Sequence, residues 1–184
     1  MLKLYGGARS RASIPQWYLE ELGVPYEFVL LDMQAGAHLQ PDYLAINPFG
    51  KVPAIVDGDF KLWESGAILL YLAQKYGQIT DPEQLATANQ WILFANATLV
   101  NIFIEATREK ETPRLLGPLN QMLEQHSYLT GDQFTVIDVA VGSFLAYIAM
   151  MLPLNYRELG YGAIAAYVQR LSERPAFQKT IGKR

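Results

Sequence analysis

The chain has 184 residues, 51% of them hydrophobic and 18% charged, with a formal net charge of -3. That composition excludes a disordered chain and allows one large domain or two small ones with a core of their own, while the small acidic surplus and the lack of any Lys/Arg block exclude a typical nucleic-acid binder. With no cysteine, and only His38 and His126 as imidazoles, disulfides, thiolate metal sites, cysteine nucleophiles and histidine metal sites are not expected.

Leu2 to Tyr5 alternates in polarity and reads as a short strand, broken by Gly6-Gly7. Ala8 to Ala12 is a loop with two arginines and a serine. No apolar signal-peptide core follows the start of the chain, so a cytoplasmic protein is expected. Ser13 fits an N-cap, Pro15 falls in a first helical turn, and Gly23 closes that helix. Tyr26 to Leu31 is rich in aromatic and branched residues and reads as a second strand, which completes a βαβ unit. Asp32 to Ala45, with His38, is a loop holding one short helical turn. Asn47-Pro48-Phe49-Gly50 is a turn cluster. Ala54 to Val56 and Phe60 to Trp63 are strands joined through Asp57-Gly58, a hairpin signal that makes the sheet mixed. Ser65 fits the N-cap of a helix from Gly66 to Tyr76, with apolar residues at helical spacing and Gly77 after it.

Gln78 to Pro82 reads as a linker, and from Glu83 onward no strand is expected. Helices are predicted over residues 83–107 and 114–128. Thr135 and Asp138 match a capping box with Asp in place of Glu, flanked by Phe134 and Val139 as a hydrophobic staple. The run from Val136 to Leu154 is apolar almost all round, yet carries Asp138, Gly142 and Ser143; it reads as a buried core helix, not a membrane span. Two further helices follow, from Ala163 to Arg174 and after Pro175. The expected organisation is an α/β domain over 1–77 with the order βαβ-ββα, and an all-α domain over 83–184.

Three stretches together resemble the soluble glutathione S-transferases. They are Asn47 to Pro53 followed by Glu64-Ser65-Gly66-Ala67-Ile68; the helix entry Phe134-Thr135-Val136-Ile137-Asp138; and Arg174-Pro175-Ala176-Phe177. The chain resembles a bacterial-like class of that family without cysteine. The resemblance implies a thioredoxin-like N-terminal domain, a cytoplasmic homodimer, and transfer of glutathione to small hydrophobic electrophiles in detoxification, with a weak peroxidase activity beside it. Glutathione is then a co-substrate, and no cofactor, metal, nucleic acid or membrane is implied. The alternative is a non-catalytic glutathione-binding or scaffold module on the same fold.

The implied site has two halves. Ser65, at a helix start, suits a carboxylate, because the first N–H groups of a helix are unpaired and partly positive. Glu64 suits the γ-glutamyl ammonium. The resemblance implies a cis bond before Pro53, main-chain contacts from Val52 to the cysteinyl unit, and Lys51 near the glycyl carboxylate. The sulfur half is open among Ser10, Arg11 and Tyr5, with Arg9 and Ser13 close by. Ser10 is taken as hydrogen-bond donor and Arg11 as electrostatic support. The electrophile pocket is expected between this first loop and the helix over 83–107, with Asn96, Asn101 and Phe103 as candidate lining.

Overall fold

The structure, a computed structural model, describes residues 1–183. Strand β1 (Leu2–Gly6) lies inside a four-stranded sheet of order β2-β1-β3-β4, with β2 at Tyr26–Leu30, β3 at Ala54–Asp57 and β4 at Phe60–Trp63. β1 runs parallel to β2, with Leu4 opposite Phe28, and antiparallel to β3, with Leu4 opposite Ile55. The parallel pair needs a crossover, which helix α1 (Ser13–Leu22) supplies before Gly23 ends it at φ +64. The β3–β4 pair needs only the loop Gly58-Asp59, where Gly58 takes φ +63. The alternation of β1 is resolved as two faces. Leu2 and Leu4 are buried in the core, while Lys3 and Tyr5 point the other way.

The segment after β2 holds a 3₁₀ turn at Ala37–Leu39 and the one-turn helix α2 (Pro41–Leu44). Helix α3 covers Ser65–Lys75. Neither serine expected as an N-cap occupies that position. Ser13 and Ser65 are the first helical residues, and the cap positions are Ala12 and Glu64, which make no side-chain cap bond. Both hydroxyls are directed to tertiary partners instead.

Helix α4 (Pro82–Leu93) is capped by Asp81, which accepts from the N–H groups of Glu83 and Gln84 at 2.9 and 2.8 Å. The single helix expected over 83–107 is interrupted. A π turn at Phe94–Thr98 leads into a 3₁₀ stretch at Leu99–Phe103, and Ile104 is extended. Ala95, Leu99 and Ile102 stay fully buried through the change, so the apolar pattern survives a break in helix geometry. Helix α5 then runs over Glu105–Gln125 and includes Pro113 and Pro118. It starts well before the expected residue 114 and runs through both prolines, where the buried face of Leu115, Leu116, Leu119 and Leu123 offsets the lost proline N–H donors.

Helix α6 (Val136–Met151) is buried from Val136 through Ile148. It packs against α1, α3, α4 and α7 (Gly162–Ser172), and α8 (Pro175–Lys179) closes onto α1. The capping box is present: the Thr135 hydroxyl accepts from the Ile137 N–H at 3.2 Å, and Asp138 accepts from the Thr135 N–H at 2.8 Å. Asp138 also accepts from the Leu129 N–H at 3.1 Å and the Tyr167 hydroxyl at 2.9 Å. Burial raises its pKa, and these three donors offset part of that rise. A structural role therefore accounts for this aspartate.

The two halves are joined by Trp17, fully buried against the Phe134 and Phe177 rings. Beside it, Arg174 makes a two-pronged ion pair with Glu21, both contacts at 2.7 Å, and its guanidinium lies 3.7 Å from the Phe134 ring centre. No described helix is long and apolar enough to cross a membrane.

Candidate functional site

The stretch from Asn47 to Pro53 is shaped by one buried side chain. Asn47, 2% exposed, donates through Nδ2 to the Lys51 carbonyl at 2.7 Å and accepts from the Phe49 N–H at 3.1 Å. The Tyr43 hydroxyl donates to the same carbonyl at 2.6 Å, and burial holds that phenol up at about 12, in its neutral donor form. Gly50 takes φ +59, and a Cβ there would lie 2.9 Å from the Leu39 side chain and 3.1 Å from the His38 carbonyl oxygen. The loop enters β3 through the Val52-Pro53 bond, which is cis. Neither the N–H nor the C=O of Val52 has a hydrogen-bond partner among the described residues.

The chain leaves β4 through Glu64 at φ +72 and ψ +122, an uncommon conformation for a residue with a side chain. Such strain costs on the order of 1–3 kcal/mol and gathers at functional sites. Directly after this turn α3 starts at Ser65. Ser65 is 2% exposed, and its hydroxyl donates to Asn96 Oδ1 at 3.3 Å. Asn96 is held in turn by its bond to the Ile92 carbonyl at 2.9 Å. This approach requires Gly66, where a Cβ would lie 2.8 Å from Ile92 and 3.2 Å from Asn96.

Opposite, the loop after β1 wraps around Ser10. The Ser10 hydroxyl accepts from the Gly7 and Ala12 N–H groups at 3.1 and 3.3 Å and donates to the Gly7 carbonyl at 3.1 Å. Arg11 is exposed, with its guanidinium 5.3 Å from the Phe144 ring centre on α6. Ser13 donates to the Ser10 carbonyl at 3.0 Å and meets the Tyr147 hydroxyl at 2.7 Å.

These elements enclose one cavity of about 430 Å³, lined by Ser10, Arg11, Asn47, Lys51, Val52, Pro53, Glu64 and Ser65. All seven residues selected from the sequence border it. Its floor offers the free Val52 main chain and a helix N-terminus. Its walls offer two cations and one carboxylate. Tyr5 lies elsewhere, on the sheet face away from the core, with its ring 5.8 Å from that of Tyr43. Arg9 is exposed and is not among the residues that line the cavity.

Asn96, Asn101 and Phe103, the expected lining of the electrophile pocket, all make hydrogen bonds around the break after α4. Asn96 holds Ser65, and Asn101 and Phe103 act through their carbonyls, which accept from Thr107 and Arg108. Sequence reasoning did not single out Asn47, Tyr43, Phe144 or Tyr147 for the site. Asn47 stood in a turn cluster where most asparagines serve only the turn, Tyr43 acts through the Lys51 carbonyl eight residues on, and Phe144 and Tyr147 come to the loop from α6 across the fold.

Residues 1–74 match the glutathione S-transferase N-terminal domain, and residues 94–184 match the glutathione S-transferase C-terminal domain. Glutathione S-transferase F9 of Arabidopsis thaliana is 31% identical over 209 residues, covering 100% of this chain and 97% of that protein. Glutathione S-transferase GstB of Escherichia coli is 34% identical over 187 residues, 89% of this chain and 88% of that one. The structure of glutathione transferase URE2P6 from Phanerochaete chrysosporium, in complex with oxidized glutathione, superimposes with a TM-score of 0.84 at 28% identity, covering 99% of this chain and 95% of that one. With both domains matched and relatives more than 30% identical along nearly the whole length, this chain belongs to the glutathione S-transferase family.

Proposed function

We propose that the protein conjugates the thiolate of glutathione to small hydrophobic electrophiles in the cavity between Ser10 and Ser65. The carrying observation is that this one cavity brings Ser10 and Arg11 together with Lys51, Val52, Pro53, Glu64 and Ser65. The γ-glutamyl carboxylate takes the α3 N-terminus and the Ser65 hydroxyl, and Glu64 takes the ammonium. The main chain of Val52 pairs with the cysteinyl unit over Pro53, and Lys51 meets the glycyl carboxylate. Residues 1–77 form the glutathione-binding domain, and residues 83–184 form the domain that completes the electrophile pocket.

Ser10 then acts on sulfur. A free thiol has a pKa of about 8.5, so little of it is thiolate at neutral pH. The Ser10 hydroxyl swings its hydrogen from the Gly7 carbonyl to the sulfur. Two main-chain N–H groups donating into its oxygen make it a stronger donor than an isolated hydroxyl. The Arg11 guanidinium favours the anion further. The strained Glu64 and the unpaired Val52 main chain support the same reading, because a scaffold has no use for either.

The reading includes a homodimer in the cytoplasm, the reducing compartment where glutathione is kept. Phe49 is 65% exposed and meets Trp63 edge to face, with ring centres 5.0 Å apart, and Phe60 is 46% exposed on the edge strand β4. That apolar rim suits a second copy. Retention on immobilised glutathione, together with turnover of an aryl halide or an isothiocyanate, tests the proposal. Tight retention with no turnover of any electrophile would replace it with a non-catalytic glutathione-binding module.

A further inference from the structure

Phe144 and Tyr147 stand at i and i+3 on α6 and therefore face the same side. They are 2% and 5% exposed, and their rings are 6.3 Å apart. Both meet the stretch from the loop after β1 to the start of α1. Phe144 lies beneath the Arg11 guanidinium, and the Tyr147 hydroxyl lies 2.7 Å from Ser13 Oγ. The Ser13 hydroxyl also lies 3.0 Å from the Ser10 carbonyl, to which it donates, so Ser13 links Tyr147 to the main chain of Ser10. In such a chain each bond polarises the next.

A buried tyrosine needs a partner for its hydroxyl, and partners exist within the helical half. Tyr156 donates to the Leu145 carbonyl at 2.7 Å, and Tyr167 donates to Asp138 at 2.9 Å. Tyr147 reaches 134 residues back along the chain to Ser13 at the start of α1, directly after the segment that carries Ser10 and Arg11. That segment has no strand pairing of its own. Ser10 holds its side chain through the Gly7 and Ala12 N–H groups, and the direction of its hydroxyl follows the main chain at Ser10.

We propose that Tyr147 is a positioning residue for thiolate stabilisation: through Ser13 it fixes the main chain of Ser10, while Phe144 seats Arg11 from the same face of α6. The helical domain thus tunes the sulfur end of the site without touching glutathione. This rests on the assignment of Ser10 to the sulfur.

The test compares wild type with Tyr147→Phe, Ser13→Ala, the double variant and Ser10→Ala, measuring the pKa of the bound thiol by its ultraviolet absorbance and glutathione affinity by calorimetry. Tyr147→Phe keeps the ring, so the core stays filled. Loss of one ordinary hydrogen bond, partly transmitted, raises the thiol pKa by about half a unit. On the acid side of that pKa the same change lowers kcat/KM about threefold. Affinity for glutathione is unchanged, because the residues that hold the tripeptide are intact. Ser13→Ala gives the same shift, and the double variant goes no further than either single one. If Ser10→Ala raises the thiol pKa and Tyr147→Phe does not, the positioning role is overturned and the Ser10 assignment stands. An unshifted pKa in Ser10→Ala overturns both.

Discussion

Replacing Ser65 with alanine should weaken glutathione binding by an amount that the geometry bounds. A hydroxyl donating to a carboxylate contributes about 1.5–3 kcal/mol. Against this stands the bond that Ser65 gives up when ligand arrives. It runs to Asn96 Oδ1 at 3.3 Å, at the long end of the range, between two neutral groups, and is worth less than about 1 kcal/mol. The difference, about 1–2 kcal/mol, is a rise in Kd of about five- to thirtyfold. The N–H groups of α3 remain, so binding is weakened and not abolished. The assay is calorimetric titration with glutathione and with an analogue that lacks the γ-glutamyl α-carboxylate. Ser65→Ala should lose affinity for glutathione and bind the analogue as wild type does. An unchanged Kd for glutathione, or an equal loss for both ligands, would refute the placement of the carboxylate at α3.

Two further outcomes concern the scaffold. Asp138→Ala removes the acceptor of the Leu129 N–H and the Tyr167 hydroxyl, both buried, as well as the Thr135 cap. At about 1–3 kcal/mol for each orphaned buried donor, and about 1 kcal/mol for the cap, a loss of roughly 3–5 kcal/mol is expected in urea unfolding once relief of the buried charge is allowed for. Asp57 accepts from Tyr71, Lys75 and Tyr76 at 2.7–2.8 Å. Burial raises its pKa, but the three donors outweigh it and bring the carboxyl from 3.8 down to about 2. A folded pKa below the unfolded one stabilises at higher pH, and this contribution fades as pH falls from 3.8 towards 2. Removing one donor with Tyr76→Phe should shrink that acid-side loss in urea midpoints and leave the neutral-pH activity alone.

The strand and helix order is readable because each element of the first half ends in recognisable punctuation: Gly6-Gly7, Gly23, Asp57-Gly58 and Gly77. The capping box at Thr135 and Asp138 is readable because its partners are three residues apart. What is hidden depends on distance or on backbone shape. A hydroxyl at a helix start gives the same signal at the cap and one residue later. At Ser65 the choice is made by Glu64 at φ +72, which its residue type does not announce. The break after Leu93 is silent because no proline or glycine marks it and the buried positions Ala95, Leu99 and Ile102 keep helical spacing. Asn96 and Tyr147 meet the site across 31 and 134 residues, so only the fold brings them there. Most of the cavity lining was accessible from sequence because its residues sit in three short stretches, and the family resemblance supplied the chemistry that joins them.

The central claim is that Ser10, supported by Arg11, holds the sulfur of glutathione as a thiolate. Its most direct test is the pKa of bound glutathione in wild type, Ser10→Ala and Arg11→Ala, read from thiolate absorbance across pH. The wild-type thiol should titrate below the free value of about 8.5. Loss of a hydrogen bond to the anion in Ser10→Ala should raise it by about one to two units, and Arg11→Ala should raise it by less, because that side chain is exposed. The same thiol pKa in all three proteins would contradict the account and move the thiolate-stabilising group elsewhere.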